Sequence, residues 1–353
     1  MVVGRAVIAH LSMADESWTQ SEKGCRSVEH ERAPINSAPV ADRGSAPAAR
    51  SFGPAETALL LTLGGMWGFS FLFIEIALRG FGPVWIVAGR TGIGAAVLLA
   101  ALGLRRQRLP RSRRMWGHFL VLGVVANALP WVGAAWAQQW LPSGLVALLM
   151  AAVPTSTLVV SVAFGLEHFT LARIAGLALA LSGVALTVAA DPAEPGRLAA
   201  IVVVIVATVM YAAGAVYAKQ WVSGNDSPLT IAAGQVLTAF LVTLPAAFLL
   251  DPLPDPEGIT PAVAGSILAL GAFGTGAAFL VFYTLIERVG ATNTTLVTYI
   301  VPLVAVAAGA IVLGERLALP AIIGGALIVS GVWLAQKGTR GAAPGPAEAP
   351  AAD

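Results

Sequence analysis

Residues 153–167 read VPTSTLVVSVAFGLE, and residues 301–315 read VPLVAVAAGAIVLGE. Each stretch carries a proline inside an apolar run and a glutamate thirteen residues after it. The same offset of 148 residues aligns the segments that follow, LARIAGLALALSGVAL (171–186) and LPAIIGGALIVSGVWL (319–334), which share nine of sixteen residues. A register held over such a distance predicts an internal duplication of the chain.

The composition of the chain excludes an ordinary soluble protein. Of its 353 residues, 57% are hydrophobic and only 11% are charged, and the mean hydropathy is +0.80. Soluble proteins carry about 25% charged residues, which they need to cover a surface that faces water. A large soluble helical protein would bury some apolar helices, but it would not need many long uncharged runs in succession. The sequence therefore predicts an all-α integral membrane protein.

Ten apolar runs are long enough to cross a bilayer, which takes roughly 20 residues in a helix. They cover residues 57–78, 83–103, 116–137, 142–164, 171–190, 198–219, 228–250, 262–286, 291–313 and 319–336. With the N-terminus inside, the six arginines of RRQRLPRSRR (105–114) lie in the cytoplasm, as the excess of Lys and Arg in cytoplasmic loops requires. The pattern predicts that both termini are cytoplasmic and that the protein resides in the cytoplasmic membrane.

The duplication divides the chain into four parts. We expect a disordered cytoplasmic tail over residues 1–56, a first repeat over 57–190, a second repeat over 198–336 and a flexible cytoplasmic tail over 337–353. Each repeat holds five spans, and five is odd, so the second repeat must enter the membrane from the opposite side. Inverted repeats of this kind are typical of alternating-access transporters, whose substrate site lies near the midplane between the repeats.

At this point the sequence resembles a known family. The resemblance rests on GMWGFSFLFIEIALR (65–79), on the arginine within VAGRTGIGA (87–95), and on the two Pro-x12-Glu stretches, each followed nine residues later by glycine. Together they are similar to EamA repeats of the drug/metabolite transporter superfamily, over about residues 57–336. The resemblance implies ten helices in two inverted EamA domains that carry amino acids, other metabolites or drugs, often outward.

Two prolines are candidates for helix hinges. Pro154 and Pro302 fall near the middle of their spans, and each lacks the amide proton of a regular helical turn. Freed carbonyls within a membrane are tolerated only against protein or a water-filled cavity. Paired interruptions at corresponding positions therefore indicate a central binding site, although the prolines could also serve packing alone.

Four charged residues within or beside the spans are interpreted as structural. Glu167 and Glu315 each follow a proline-containing helix, and a carboxylate there favours the positive N-terminus of the helix that comes next. Arg90 lies about seven residues into the second span, where it could snorkel outward, pair with Glu75, or hold an anionic group of a substrate. We favour the pairing with Glu75.

Polar and aromatic side chains away from the ends of the spans form the candidate substrate pocket. Buried amides, hydroxyls and indoles near the midplane are functional candidates by default, although aromatic residues also form belts at the membrane surface. The candidates are Trp67, Asn127, Trp131, Trp136, Tyr211, Thr275, Tyr283, Thr295, Thr298 and Tyr299.

Other classes of activity lack their sequence signatures. The chain has no G-x-x-x-x-G-K-[ST] phosphate loop and no Cys/His cluster for a metal, so we expect no ATP hydrolysis, no cofactor and no enzymatic activity. The net charge of +2 indicates no nucleic-acid partner. The sequence thus predicts a secondary transporter of small organic metabolites, embedded in lipid and without obligatory proton coupling. The alternative is a membrane channel or a sensor that transports nothing.

Overall fold

The computed structural model describes residues 53–189, 196–224 and 226–337. Ten long helices account for most of this part of the chain: α1 Pro54–Ala77, α2 Pro83–Leu104, α3 Arg113–Ala137, α4 Ser143–Ala163, α5 Leu171–Ala189, α6 Arg197–Val222, α7 Pro228–Leu250, α8 Pro261–Val289, α9 Val297–Leu313 and α10 Leu319–Lys337. The predicted tails over 1–56 and 337–353 lie outside the described residues, except at 53–56 and 337.

Most helices begin and end within a few residues of the predicted spans. A proline opens α1, α2, α7 and α8, where a first-turn proline costs no hydrogen bond and presets the backbone. In the described part of the chain, nine helices are long and apolar enough to cross a membrane, and α9 is an apolar helix of shorter length.

The predicted start of the ninth span is wrong. That span was expected over 291–313, but α9 begins at Val297 and a separate short helix, Ala291–Thr294, precedes it. The amide of Thr298 donates to the carbonyl of Thr295 at 3.0 Å, and the amide of Tyr299 donates to the carbonyl of Leu296 at 3.1 Å. These bonds span three residues rather than four, so the chain tightens there instead of continuing one helix.

The helices pack in pairs that repeat across the two halves of the chain. Helix α5 packs on α10 and α2 packs on α7, so each of these helices meets its own counterpart. Three further contacts occur in matched sets. Helix α1 packs on α9 as α6 packs on α4, α1 packs on α8 as α6 packs on α3, and α2 packs on α8 as α7 packs on α3. The two five-helix repeats are therefore related by an approximate two-fold axis, as an inverted duplication requires.

The crossing of α5 and α10 is symmetric at the level of single glycines. A Cβ built on Gly183 would lie 2.4 Å from the carbonyl oxygen of Gly324, and one on Gly176 would lie 2.5 Å from that of Gly331. The 148-residue offset relates Gly176 to Gly324 and Gly183 to Gly331. Each glycine thus meets the counterpart of the other, and small residues allow the two backbones to touch.

The helix bundle has two ends, each named by one of the connections that it carries. The α1–α2 end carries the connections 78–82, 138–142, 251–260 and 314–318, and the α2–α3 end carries 105–112, 164–170 and 290–296.

Candidate functional site

Helices α3 and α8 each widen into a π-helical segment at equivalent positions. The segments are Gly123–Ala128 and Ala272–Ala277. The side-chain amide of Asn127 donates to the backbone carbonyl of Leu122 at 3.0 Å. The hydroxyl of Thr275 donates to the backbone carbonyl of Leu270, also at 3.0 Å. Both side chains reach five residues back, and the offset of 148 relates them. π-Helical segments within α-helices are rare and often occur at functional sites.

Arg90 lies beside the bulge of α8. Its side chain is only 5% exposed, and its Nε donates to the hydroxyl of Thr275 at 3.2 Å. The guanidinium carbon lies 4.0 Å from the ring centroid of Trp131 on α3, which is a cation–π contact. Arg90 forms no ion pair with any residue in the described ranges.

The expected pairing of Arg90 with Glu75 is therefore wrong. Arg90 points towards α3 and α8, whereas Glu75 lies near the end of α1, where its charged neighbours are Glu315 and Arg79. One carboxylate oxygen of Glu75, Oε2, is buried without a hydrogen-bond partner among the described residues. Sequence spacing could not predict this, because it does not show which faces of α1 and α2 meet.

Tyr211 on α6 completes a group that we call the Arg90 cluster: Arg90, Trp131, Tyr211 and Thr275. The indole Nε1 of Trp131 donates to the hydroxyl oxygen of Tyr211, which also lies within electrostatic range of Arg90. The first repeat contributes Arg90 and Trp131, and the second contributes Tyr211 and Thr275. Four helices thus bring one arginine, two aromatic residues and one threonine together at the interface of the repeats.

A neutral counterpart of this cluster lies between α1, α7 and α8. The rings of Trp67 and Phe282 are 5.5 Å apart, and Tyr283 lies 5.3 Å from Phe282. Gln235 interacts with the hydroxyl of Tyr283. An offset of 145 residues places IVAGR (86–90) on IAAGQ (231–235), so Gln235 occupies the position of Arg90 in the other repeat. The two repeats therefore differ in charge at this position, since the first carries an arginine and the second a neutral glutamine.

Four further candidate residues, Trp136, Thr295, Thr298 and Tyr299, lie apart from both the Arg90 cluster and its neutral counterpart. Trp136 lines a cleft of about 960 Å³ at the α1–α2 end, next to Trp140, whose ring centroid is 6.3 Å away. The hydroxyl of Thr298 donates to the backbone carbonyl of Thr295 at 2.7 Å, across the turn before α9. The hydroxyl of Tyr299 donates to Gln336 of α10 at 2.9 Å.

The positions of Thr295, Thr298 and Tyr299 correct the expectation that all three lie well away from the ends of their span. The late start of α9 moves them to the α2–α3 end, where Tyr299 lines a smaller cleft of about 340 Å³ with Trp333.

The two prolines lie in different local structures. Helix α4 is interrupted by a turn at Ala151–Ala152, directly before Pro154, whereas Pro302 lies inside a regular stretch of α9. The corresponding interruption of the second repeat, at residues 295–296, comes seven residues before Pro302. The interruptions therefore occur in both repeats but not at equivalent positions.

The two glutamates also act differently from each other. The carboxylate of Glu315 accepts hydrogen bonds from the amides of Ser143 and Gly144, at 2.8 and 3.2 Å, and so closes the N-terminus of α4. The expectation that Glu315 serves the next helix, α10, is wrong, because its carboxylate is bonded to the first amides of α4 instead. Glu167 pairs with Arg173 of α5 at 2.8 Å.

Sequence reasoning missed one contact that joins the repeats. The carboxylate of Asp251, just after α7, accepts hydrogen bonds from the amides of Val84 and Trp85 at 2.8 and 3.2 Å. It therefore caps the N-terminus of α2 from the other repeat. The sequence shows an aspartate directly after α7, which is a candidate helix cap. Which helix it caps depends on tertiary packing and cannot be read from the sequence.

Comparison with known proteins agrees with this architecture. The profile of the EamA-like transporter family matches the chain twice, over residues 56–189 and 198–336. One solved crystal structure superposes with a TM-score of 0.59 at 19% identity, over 81% of this chain and 98% of the other. At this level of identity, the similarity shows that the two chains share a fold and nothing more.

Several relatives are named as transporters. The chain is 28% identical over 290 residues to a "probable terminal-alkyne amino-acid exporter" of Streptantibioticus cattleyicolor, covering 81% of this chain and 95% of the relative. It is 25% identical over 272 residues to an uncharacterised transporter of Archaeoglobus fulgidus, covering 76% and 94%. It is 29% identical over 261 residues to the uncharacterised inner membrane transporter YedA of Escherichia coli (strain K12), covering 71% and 81%. Because the family profile covers both five-helix repeats, the chain belongs to the EamA-like transporter family and is a multi-pass membrane transporter of a small molecule rather than an enzyme.

Proposed function

We propose that this protein is a secondary carrier that exports small organic metabolites by alternating access, and that the solute contacts the Arg90 cluster. The observation that carries the proposal is the composition of that cluster: a buried guanidinium, two aromatic rings and a hydroxyl, supplied by both repeats. A site built from both repeats changes its exposure when one repeat rocks against the other, which is the motion expected of inverted-repeat carriers.

The direction of transport and the class of solute rest on the relatives and on the lining of the site. One relative is named as an exporter of an amino acid. Indole and phenol rings bind amphipathic metabolites through their faces while their polar atoms supply hydrogen bonds. We place both termini in the cytoplasm, because the arginine-rich segment 105–114 then lies inside. In that orientation the α1–α2 end faces outward.

The two interrupted helices supply candidates for the moving parts. The turn at Ala151–Ala152 before Pro154 and the turn at 295–296 before α9 leave fewer regular backbone hydrogen bonds than a continuous helix. Hinges are a few residues that absorb such changes in backbone angle. Helix α4 packs against α6, which carries Tyr211, so a bend in α4 reaches the cluster through one helix.

The test compares metabolites in the medium and cytoplasm of cells that overproduce the native chain, a Trp131→Ala variant, or a Trp221→Ala control at equal membrane levels. Trp221 is 42% exposed near the end of α6 and does not belong to the cluster. A compound enriched in the medium by the native chain and the control, but not by Trp131→Ala, supports the proposal. Export that is unchanged by Trp131→Ala contradicts it.

A further inference from the structure

Arg90 is held in the bundle without a counter-ion among residues 53–189, 196–224 and 226–337. Of the buried arginines, Arg173 pairs with Glu167 and also donates to the carbonyl of His168. Arg90 is as deeply buried, yet its contacts in the described chain are a hydroxyl and an aromatic ring, both neutral. A buried charge is costly unless it is paired, so an isolated intramembrane cation is a functional candidate that calls for an anionic partner.

The contacts of Arg90 leave the outer part of its guanidinium available. Nε is the nitrogen that donates to Thr275, and the plane of the group lies over Trp131. Neither terminal nitrogen, Nη1 or Nη2, has a hydrogen-bond acceptor within residues 53–189, 196–224 and 226–337. A guanidinium carries five N–H donors, and its two terminal amino groups form the planar fork that grips a carboxylate through two parallel bonds.

The surroundings of Arg90 limit the charge of the partner. Its electrostatic neighbour in the described chain is Tyr211, and no second Lys or Arg contacts the cluster there. One guanidinium balances one negative charge, which fits a carboxylate better than a dianionic phosphate. No described carboxylate contacts Arg90 either, so the cluster offers nothing of opposite sign to an ammonium group.

We propose that Arg90 binds the carboxylate of the carried solute, so that the substrates are small organic monocarboxylates with an apolar or aromatic body. Thr275 and Trp131 fix the guanidinium plane from two sides, and the indole and phenol rings of Trp131 and Tyr211 flank the body of the solute. Gln235 occupies the equivalent position in the other repeat and carries no charge, so only the first repeat supplies a cation for the carboxylate. This inference rests on the proposed function, because it names the substrate class of the same site.

The test measures binding of matched probes to the purified full-length protein by isothermal titration calorimetry. The probes are 3-phenylpropionate, 3-phenylpropionamide and 2-phenylethylphosphonate, which share an aromatic body and differ in the head group. The native protein should bind the carboxylate at least about tenfold more tightly than the amide, a difference of about 1.4 kcal/mol, because the charged carboxylate accepts two parallel bonds from the guanidinium fork. In Arg90→Gln the ratio should fall to within about threefold, which corresponds to under 1 kcal/mol.

Two controls keep the outcome interpretable. Arg316→Gln removes an exposed positive charge from the connection before α10 and should leave the preference for the carboxylate unchanged. Arg90→Lys retains the charge without the fork and should give an intermediate ratio. If Arg90→Gln does not fold, Arg90→Lys replaces it in the comparison, and a native acid-to-amide ratio in Arg90→Lys contradicts the assignment to the Arg90 fork.

The native protein contradicts the inference if it binds the amide or the phosphonate as tightly as the carboxylate, or binds none of the three. Retention of the native preference in Arg90→Gln also contradicts it. The export experiment is read separately: export that depends on Trp131, without any preference for carboxylates, leaves the proposed function standing and removes this inference alone.

Discussion

The carboxylate of Glu315 accepts a hydrogen bond from the amide of Ser143 at 2.8 Å and thereby joins the end of α9 to the start of α4. A second bond, from the amide of Gly144 at 3.2 Å, completes the cap. Glu315 belongs to the second repeat and Ser143 to the first, so the contact ties the repeats together at the α1–α2 end. Glu167, the counterpart of Glu315, instead pairs with Arg173 within its own repeat. The structure is thus asymmetric at its two ends, and the proposed alternating-access mechanism requires such an asymmetry of any one conformation.

The first prediction concerns this cap. Glu315→Gln removes the negative charge that faces the N-terminus of α4, and we expect unfolding in detergent to become easier by about 1–2 kcal/mol. Thermal unfolding followed by the loss of a monodisperse chromatographic peak measures the change. Glu257→Gln, on an exposed connection, is the control and should leave the midpoint unchanged. An equal midpoint for Glu315→Gln would show that the negative charge of Glu315 contributes no net stability.

The second prediction concerns the crossing of α5 and α10. Gly183→Ala places a methyl group 2.4 Å from the carbonyl oxygen of Gly324, a backbone atom that cannot move aside by rotation. We expect a loss of about 1–3 kcal/mol in stability from this overpacking.

The control is Gly265→Ala in α8, where an added methyl meets nothing within 4 Å. That substitution should be neutral or stabilising by up to about 1 kcal/mol, because alanine favours helices over glycine. Equal stabilities of the two variants, measured by thermal unfolding, would contradict the close contact between α5 and α10.

The third prediction concerns the hinge in α4. Pro154→Ala restores an amide proton after the turn at Ala151–Ala152, so the helix should become more regular and bend less readily. We expect slower export of the identified solute with little change in membrane level. Pro245→Ala removes a proline from the interior of α7 and serves as the control, with export at the native rate. Native export by Pro154→Ala would assign that proline to packing alone.

The fourth prediction concerns orientation. In a Cys25→Ser background, a cysteine at Ser112, between α2 and α3, should react with a membrane-impermeant maleimide only after the cells are permeabilised. A cysteine at Glu257, between α7 and α8, should react in intact cells. Both positions are exposed in the structure, so burial does not limit the reaction. The reverse pattern of labelling would place the termini outside.

The sequence was sufficient for the helices and for the duplication, because both depend on local composition and on register. Nine of the ten spans were predicted to within a few residues, and the match of Asn127 with Thr275 follows from the 148-residue offset. The late start of α9 was missed, because ATNTTL (291–296) contains no charge, proline or glycine that would mark the end of a helix. Only its backbone hydrogen bonds show the turn.

Contacts between helices could not be predicted from the sequence. Arg90, Trp131, Tyr211 and Thr275 were each recognisable as unusual within a membrane span, but their convergence depends on which face each helix turns towards its neighbours. Arg90 was therefore assigned to Glu75, the acidic residue nearest in sequence, although α2 presents it to α3 and α8. The partners of Glu315 and Asp251 were hidden for the same reason, since each caps a helix of the other repeat.

The most direct measurement is counterflow of the exported compound, labelled with a radioisotope, in proteoliposomes loaded with the unlabelled compound. A carrier whose solute contacts the Arg90 cluster should show saturable counterflow in the native protein and in Trp221→Ala, and a loss of at least about tenfold in Trp131→Ala, equivalent to 1.4 kcal/mol of lost stabilisation. Flux that does not saturate would indicate a channel. Saturable counterflow at the native rate in Trp131→Ala would show that the solute crosses elsewhere in the bundle.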